Sequence, residues 1–122
     1  MSKTIMVVDD SGSFRTVAKL ALQKAGYVVV EAVDGQDAAE KLGVARPNLI
    51  VCDVNMPRMN GIEFLESMRN EKGLNVPVVM LTTEGQPELI QRAKALGAKG
   101  WIVKPFKPDL LVAAAKKLTA TA

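Results

Sequence analysis

The chain has 122 residues, of which 48% are hydrophobic and 24% charged, with a formal net charge of +3; this is the size and balance of one ordinary globular domain. No apolar run approaches the roughly 18 residues that cross a bilayer, and the opening MSKTIMVVDD is no signal peptide, so a cytoplasmic location with no membrane partner is expected. A single cysteine, Cys52, excludes an internal disulfide framework, and the lack of any histidine excludes ordinary Cys/His zinc sites and histidine-activated nucleophiles.

The elements follow one another in a regular alternation. Thr4–Val8 reads as a first strand and runs into Asp9-Asp10. Phe14, Val17, Ala18 and Ala21 then fall at i, i+3, i+4 and i+7, a helical stripe, with Gly26 where a helix C-cap belongs. Val28–Ala32 is the second strand and Leu49–Cys52 the third, closing on Asp53. Asn60 with Glu63 forms a capping-box pattern ahead of a short stripe of Ile62, Leu65 and Met68. Val76–Leu81 is the fourth strand, ending in Thr82-Thr83. Pro87 suits the first turn of a helix striped by Leu89, Ala93 and Leu96, which Gly97 closes. Trp101–Val103 is the fifth strand, followed by Lys104-Pro105, and Pro108 opens a last helix striped by Leu111, Ala114, Ala115 and Leu118.

Three of these strands are near-continuous apolar blocks rather than alternating ones, which places them inside a sheet covered on both faces. Five β-α repeats with right-handed crossovers predict a doubly wound α/β domain with a five-stranded parallel sheet, spanning residues 1–122. Cys52, inside the third strand block, is expected to face the core, and the methionines to fill the core or make surface contacts rather than form a cofactor site.

Charge is less informative. Lys and Arg number 16 against 13 Asp and Glu, scattered singly with no arginine-rich run, so nucleic acid is not an expected partner. The excess lies late. From Glu84 onward Arg92, Lys94, Lys99, Lys104, Lys107, Lys116 and Lys117 face only Glu84, Glu88 and Asp109, which describes either a solvated surface or a mildly basic docking face.

In open parallel sheets ligands bind beyond the carboxyl ends of the strands. Those ends carry Asp9 and Asp10, Asp53, Thr82 and Lys104. Two carboxylates about 4 Å apart repel by roughly 4 kcal/mol at an effective dielectric of about 20, so three together either shift upward in pKa or recruit a cation. Oxygen donors without histidine or cysteine select hard cations, and with no EF-hand loop a partly hydrated Mg²⁺ suits the set. Such an ion normally shares its shell with phosphate oxygens. Asp53 is then placed as a phosphoryl acceptor, Thr82 as a hydrogen-bond donor to the transferred group and Lys104 as its counter-charge. Neither a Walker A motif nor a dinucleotide fingerprint occurs, so the phosphoryl group is expected from another molecule.

Taken together, Asp9-Asp10, Asp53 with Met56-Pro57-Arg58-Met59-Asn60-Gly61, Thr82 and Lys104-Pro105-Phe106 resemble the response-regulator receiver family in order and spacing. Each piece is common alone; the set is specific and covers essentially the whole chain. The resemblance implies a flavodoxin-like sandwich with strand order 2-1-3-4-5, and phosphorylation of Asp53 by a histidine kinase. It implies Mg²⁺ held by Asp10, Asp53 and the backbone carbonyl of Asn55, with Asp9 acting through water. Thr82 would swing toward the phosphoryl group, Lys104 would pair with it, and Pro105 would follow a cis peptide bond. Trp101 stands where the family carries the aromatic ring that moves inward on activation; the alternative is a half-exposed strand tryptophan that never switches. Asn55 and Glu84 would flank the water that attacks the acyl phosphate, a pairing similar to that of fast-resetting chemotaxis members.

The chain stops soon after the last helix, so output is expected through binding, on a face of the fourth helix, fifth strand and fifth helix, by a monomer. The expected target is a flagellar motor switch protein, with a phosphatase as a further partner. The alternative is a single-domain phosphorelay shuttle to a histidine phosphotransfer protein, or a phosphate sink. The chain is not expected to be an enzyme beyond assisting its own phosphorylation and dephosphorylation. An aspartyl-phosphate phosphatase would want an acid two residues after its nucleophile, where this chain has Asn55.

Overall fold

The apolar blocks form five strands, β1 Thr4–Val8, β2 Val28–Ala32, β3 Leu49–Asp53, β4 Val78–Thr82 and β5 Gly100–Val103. The structure, a computed structural model, describes residues 3–56, 59–82, 87–104 and 107–120, without the side chain of residue 71. All strand pairs are parallel, in the order β2-β1-β3-β4-β5. β3 and β4 are buried along their whole length, as continuous apolar strands in the middle of a sheet must be. Edge strand β2 leaves Val28 half exposed.

Four strand boundaries differ from the expectation: the end of β3, both ends of β4, and the start of β5 at Gly100 rather than Trp101. β4 begins at Val78 rather than Val76, because Pro77 has no N–H for the ladder and contributes only its carbonyl, which accepts from Ile50 N at 2.9 Å. The ladder also runs one residue further than the apolar blocks at β3 and β4, taking in Asp53 opposite Leu81 and Thr82 opposite Val103.

The connecting helices are α1 Gly12–Lys24, α2 Gly35–Ala45, α3 Gly61–Glu66, α4 Pro87–Ala95 and α5 Pro108–Thr119. Ser11 caps α1, accepting from Phe14 N, and Asp34 caps α2, accepting from Asp37 N at 2.9 Å. The Asn60–Glu63 capping box is present in both directions, at 2.8 and 2.9 Å. Gly26 and Gly97 take the predicted left-handed conformation, at φ +99° and +85°. α2 ends instead on Arg46 at φ +45°, a conformation usually left to glycine.

Alternate strand residues point to opposite faces, so the sheet carries two cores. Met6, Val8, Ile50, Cys52 and Met80 pack with Ala38 and Leu42 of α2, Phe64 and Leu65 of α3 and Ala93 of α4. Ile5, Val7, Val51, Val79 and Leu81 pack with Ala18 and Leu22 of α1 and Leu111 and Ala115 of α5. Helices therefore cover both faces, the doubly wound arrangement expected.

One element was not foreseen. α3 continues into a π-helical turn, Ser67–Glu71, closed by Lys72 N to Ser67 O at 3.2 Å. From it the Arg69 guanidinium donates to Leu96 O, just past α4, at 2.9 Å, and to Leu74 O at 2.9 Å and Val76 O at 3.0 Å, ahead of β4. Partial burial lowers its pKa from the ordinary value. No helix among the described residues is long and apolar enough to cross a membrane.

Candidate functional site

Strand β1 delivers Asp9 and Asp10 to the carboxyl edge of the sheet. Asp9 is fully buried and Asp10 exposed. Asp9 N–H continues the β1–β2 ladder to Ala32 O at 3.1 Å, and its side-chain Oδ1 accepts from Ser11 N at 2.9 Å. Strand β3 delivers Asp53, 6% exposed, whose Oδ1 accepts weakly from Asn55 N at 3.4 Å. Lys104, just past β5, reaches back so that its Nζ lies 2.7 Å from Asp9 Oδ2 and 3.6 Å from Asp53 Oδ2. The ammonium also sits over the ring of Phe14 in α1, 4.5 Å from its centroid. One carboxylate oxygen from each of Asp9, Asp10 and Asp53 lies within 4.8 Å of the others. These four charged residues come from three strand ends that are far apart in sequence.

Thr82 closes β4, on the strand beside Asp53. Its backbone carbonyl accepts from Lys104 N at 2.8 Å, while its buried hydroxyl has no hydrogen-bond partner among the described residues. That is an unusual state for a buried polar atom. Gly61 shows how tightly α3 is set against the site. A Cβ there would lie 2.3 Å from the Asp53 carbonyl oxygen and 2.9 Å from Met80 Cε, so only glycine fits.

Comparison with known proteins gives the family. The response regulator receiver domain matches residues 5–116. The chain belongs to the response-regulator receiver family. The receiver is 35% identical over 120 residues to the chemotaxis protein CheY of Thermotoga maritima, an alignment covering 98% of this chain and 99% of that one. Its fold superimposes on chemotaxis protein CheY4 of Vibrio cholerae with a TM-score of 0.89 at 43% identity, covering 97% of this chain and 99% of the other. It is also 39% identical over 108 residues to the alkaline phosphatase synthesis transcriptional regulatory protein PhoP of Bacillus subtilis, but spans only 45% of that protein. The chain is thus a CheY-like receiver of two-component signalling, a signalling protein rather than a classic enzyme, and receivers interact with histidine kinases.

The electrostatics of the receiver pocket fit a divalent cation. Burial pushes the Asp53 carboxyl above the ordinary carboxylate value, the charge of Asp9 adds to this, and Lys104 and the Asn55 N–H only partly oppose it. Among the described residues, three carboxylates facing one ammonium leave the cluster short of positive charge. The donors are all hard oxygens, the set that Mg²⁺ takes and the chemistry receivers generally use at their acidic pocket. Asp10, being exposed, leaves the cluster open to a hydrated ion. Cys52 is fully buried, as expected, and burial, with Asp53 and Asp9 behind it, pushes its thiol far above the ordinary value, so it is no nucleophile.

Of the remaining sequence-predicted residues, Asn55 is exposed, two positions past Asp53. Trp101 is half buried against the core that includes Met80, with Lys94 Nζ 5.1 Å from its ring centroid. Glu84 and Pro105, with the expected cis peptide bond, lie outside the described residues. Of the late basic residues, Lys104 belongs to the site and Arg92 lies 3.9 Å from Glu66. Two contacts went unread in the sequence: Phe14, taken only as part of a core stripe, lies under Lys104, and Gly61 packs on Asp53. The Asn60-Gly61 helix start carried a signal for the second; nothing in the spacing marked the first.

Proposed function

We propose that this chain acts as a single receiver over residues 1–122, switched by phosphorylation of Asp53 and read out by protein binding. The observation that carries this is Asp53 itself: a carboxylate almost excluded from water, among two further carboxylates, with an ammonium 3.6 Å from its oxygen. In the reaction an Asp53 carboxylate oxygen attacks the phosphorus of a kinase phosphohistidine. The P–O bond forms as the P–N bond breaks, and the leaving imidazole nitrogen takes up a proton.

Asp10, Asp53 and the backbone carbonyl of Asn55 would hold Mg²⁺, with Asp9 acting through water; such an ion would supply positive charge against the negative charge gathered during transfer. The chain's own groups do the rest. Lys104, tethered to Asp9, supplies positive charge to the phosphoryl oxygens as they arrive. The Thr82 hydroxyl, without a partner among the described residues, donates to one of them. Trp101 follows Thr82 inward and biases a two-state equilibrium that a partner reads through differential affinity; a tenfold preference requires about 1.4 kcal/mol. Asn55 and Glu84 set the decay of the acyl phosphate.

The proposed partner is a flagellar motor switch protein, bound on the face of α4, β5 and α5. Support comes from the match over 99% of the length of a relative named as a chemotaxis protein. The test is incubation with Mg²⁺ and a small phosphodonor while following Trp101 fluorescence. Label on wild type and none on Asp53→Asn is expected, with a fluorescence change that Thr82→Ala abolishes; equal labelling of Asp53→Asn refutes the site. Phosphorylation should also raise affinity for a motor-switch peptide. If it only speeds loss of label from the kinase, or passes label to a phosphotransfer protein, the sink or relay role holds instead.

A further inference from the structure

Arg15, one turn into α1, holds the backbone of the acidic pair. Its Nη1 donates to the Asp9 carbonyl oxygen at 2.6 Å, and its Nε lies 3.2 Å from Glu31 Oε1 on β2. The side chain is only 17% exposed. Lys19 Nζ supports the same glutamate from the next turn of α1, 3.5 Å from its other oxygen.

We propose that Arg15 is a positioning residue for the cation pocket, fixing the Asp9–Asp10 peptide so that the exposed Asp10 carboxylate stays beside Asp53. The proposal rests on the reading of that pocket as a Mg²⁺ site. The carbonyl that Arg15 grips belongs to the planar peptide joining Asp9 to Asp10, so rotating that plane re-aims Asp10. Asp9 is held independently, by Ala32 O on its N–H and by Ser11 N and Lys104 on its carboxylate. Asp10 is the exposed member of a mutually repelling set, and the one that repulsion can turn out toward water. A guanidinium bond to its leading peptide opposes that turn, and charge-assisted bonds of this kind are roughly twice as strong as neutral ones.

Glu31 completes the arrangement. By pairing with Arg15 it neutralises the guanidinium, which then contributes direction rather than a fixed counter-charge competing with the metal. The job needs a fork: Arg15 serves the carbonyl and the carboxylate at once, whereas a lysine ammonium on a flexible stem holds neither geometry.

The experiment is Mg²⁺ titration by calorimetry of wild type, Arg15→Ala, Arg15→Lys, Asp10→Asn and the Arg15→Ala/Asp10→Asn double variant, with urea unfolding of each in EDTA. Arg15→Ala should weaken Mg²⁺ binding about 10-fold or more, the range typical of groups that orient metal ligands. Arg15→Lys should weaken it while unfolding close to wild type, which a merely structural role does not predict. In the Asp10→Asn background Arg15→Ala should add nothing, because its effect passes through Asp10. Arg15 variants that bind Mg²⁺ as tightly as wild type, or an effect of equal size in the Asp10→Asn background, overturn the positioning role alone. A wild type that takes up no Mg²⁺ overturns the pocket reading and the positioning role with it.

Discussion

The Lys104 ammonium stands 2.7 Å from Asp9 Oδ2, nearer than to the oxygen of Asp53 at 3.6 Å. The lysine is thus chiefly the counter-ion of a carboxylate that is itself fully buried. Breaking a buried pair by removing one partner costs about 3–5 kcal/mol. Because Lys104 keeps some exposure, Lys104→Met should fall at the lower end, about 3 kcal/mol in urea unfolding with EDTA present. Mg²⁺ should then stabilise the variant more than it stabilises wild type, since the ion replaces the missing charge.

Asp53 yields a pH prediction whose sign follows from its environment. Burial and the charge of Asp9 raise its carboxyl above the ordinary value, so the folded state holds the proton more tightly than the unfolded chain. The resulting stabilisation is complete below the unfolded value of about 3.9 and is lost as pH rises through the folded one. Asp53→Asn, neutral at every pH, should therefore melt above wild type at pH 7 in EDTA, and the gap should close toward pH 4. Saturating Mg²⁺ should narrow it too; a ligand at 100 times its dissociation constant adds about 2.7 kcal/mol to the state that binds it.

Thr82 separates stability from switching. Its buried hydroxyl lacks a partner among the described residues, and an unsatisfied buried group costs about 1–3 kcal/mol. Thr82→Val, nearly the same shape, should leave the unphosphorylated receiver as stable as wild type or about 1 kcal/mol more so in chemical denaturation. The same variant should take up label on Asp53 yet lose the Trp101 fluorescence response.

Gly61 should tolerate no side chain. A Cβ 2.3 Å from the Asp53 carbonyl must push α3 off the strand that carries the acceptor. Gly61→Ala should cost about 1–3 kcal/mol, the usual range for overpacking, measured by urea unfolding. It should also slow labelling of Asp53 by a small phosphodonor, whereas Gly43→Ala, with nothing within 4 Å of the added carbon, should leave labelling unchanged.

The elements that the residues announced locally formed where they were announced. The Asn60–Glu63 box, the glycines at 26 and 97 and the prolines opening α4 and α5 act through backbone within a few residues, so their signal lies in the sequence itself. α2 does carry a stripe, Ala38, Leu42 and Ala45, which packs on the core, but its weak, alanine-rich signal left the helix implied by the alternation of its neighbours; it ends on Arg46, a residue type that does not advertise a left-handed cap. The π-helical turn after α3 was unreadable because Arg69 finds its carbonyl partners just past α4 and before β4, up to 28 residues away.

The sequence by itself determined the sheet, the two apolar faces and which acidic, hydroxyl and basic groups end the strands, because hydrophobic periodicity and strand-end position are properties of neighbouring residues. Tertiary structure alone decided how those groups divide their labour. It buried Asp9 and left Asp10 open, tied Lys104 to Asp9 before Asp53, left the Thr82 hydroxyl without a partner among the described residues, and turned Arg15, one basic residue among 16, onto the peptide between the two acids. The physical reason is that a charge or hydroxyl takes its energy from what surrounds it in space, and that surrounding is assembled from chain segments as far apart as residues 9 and 104.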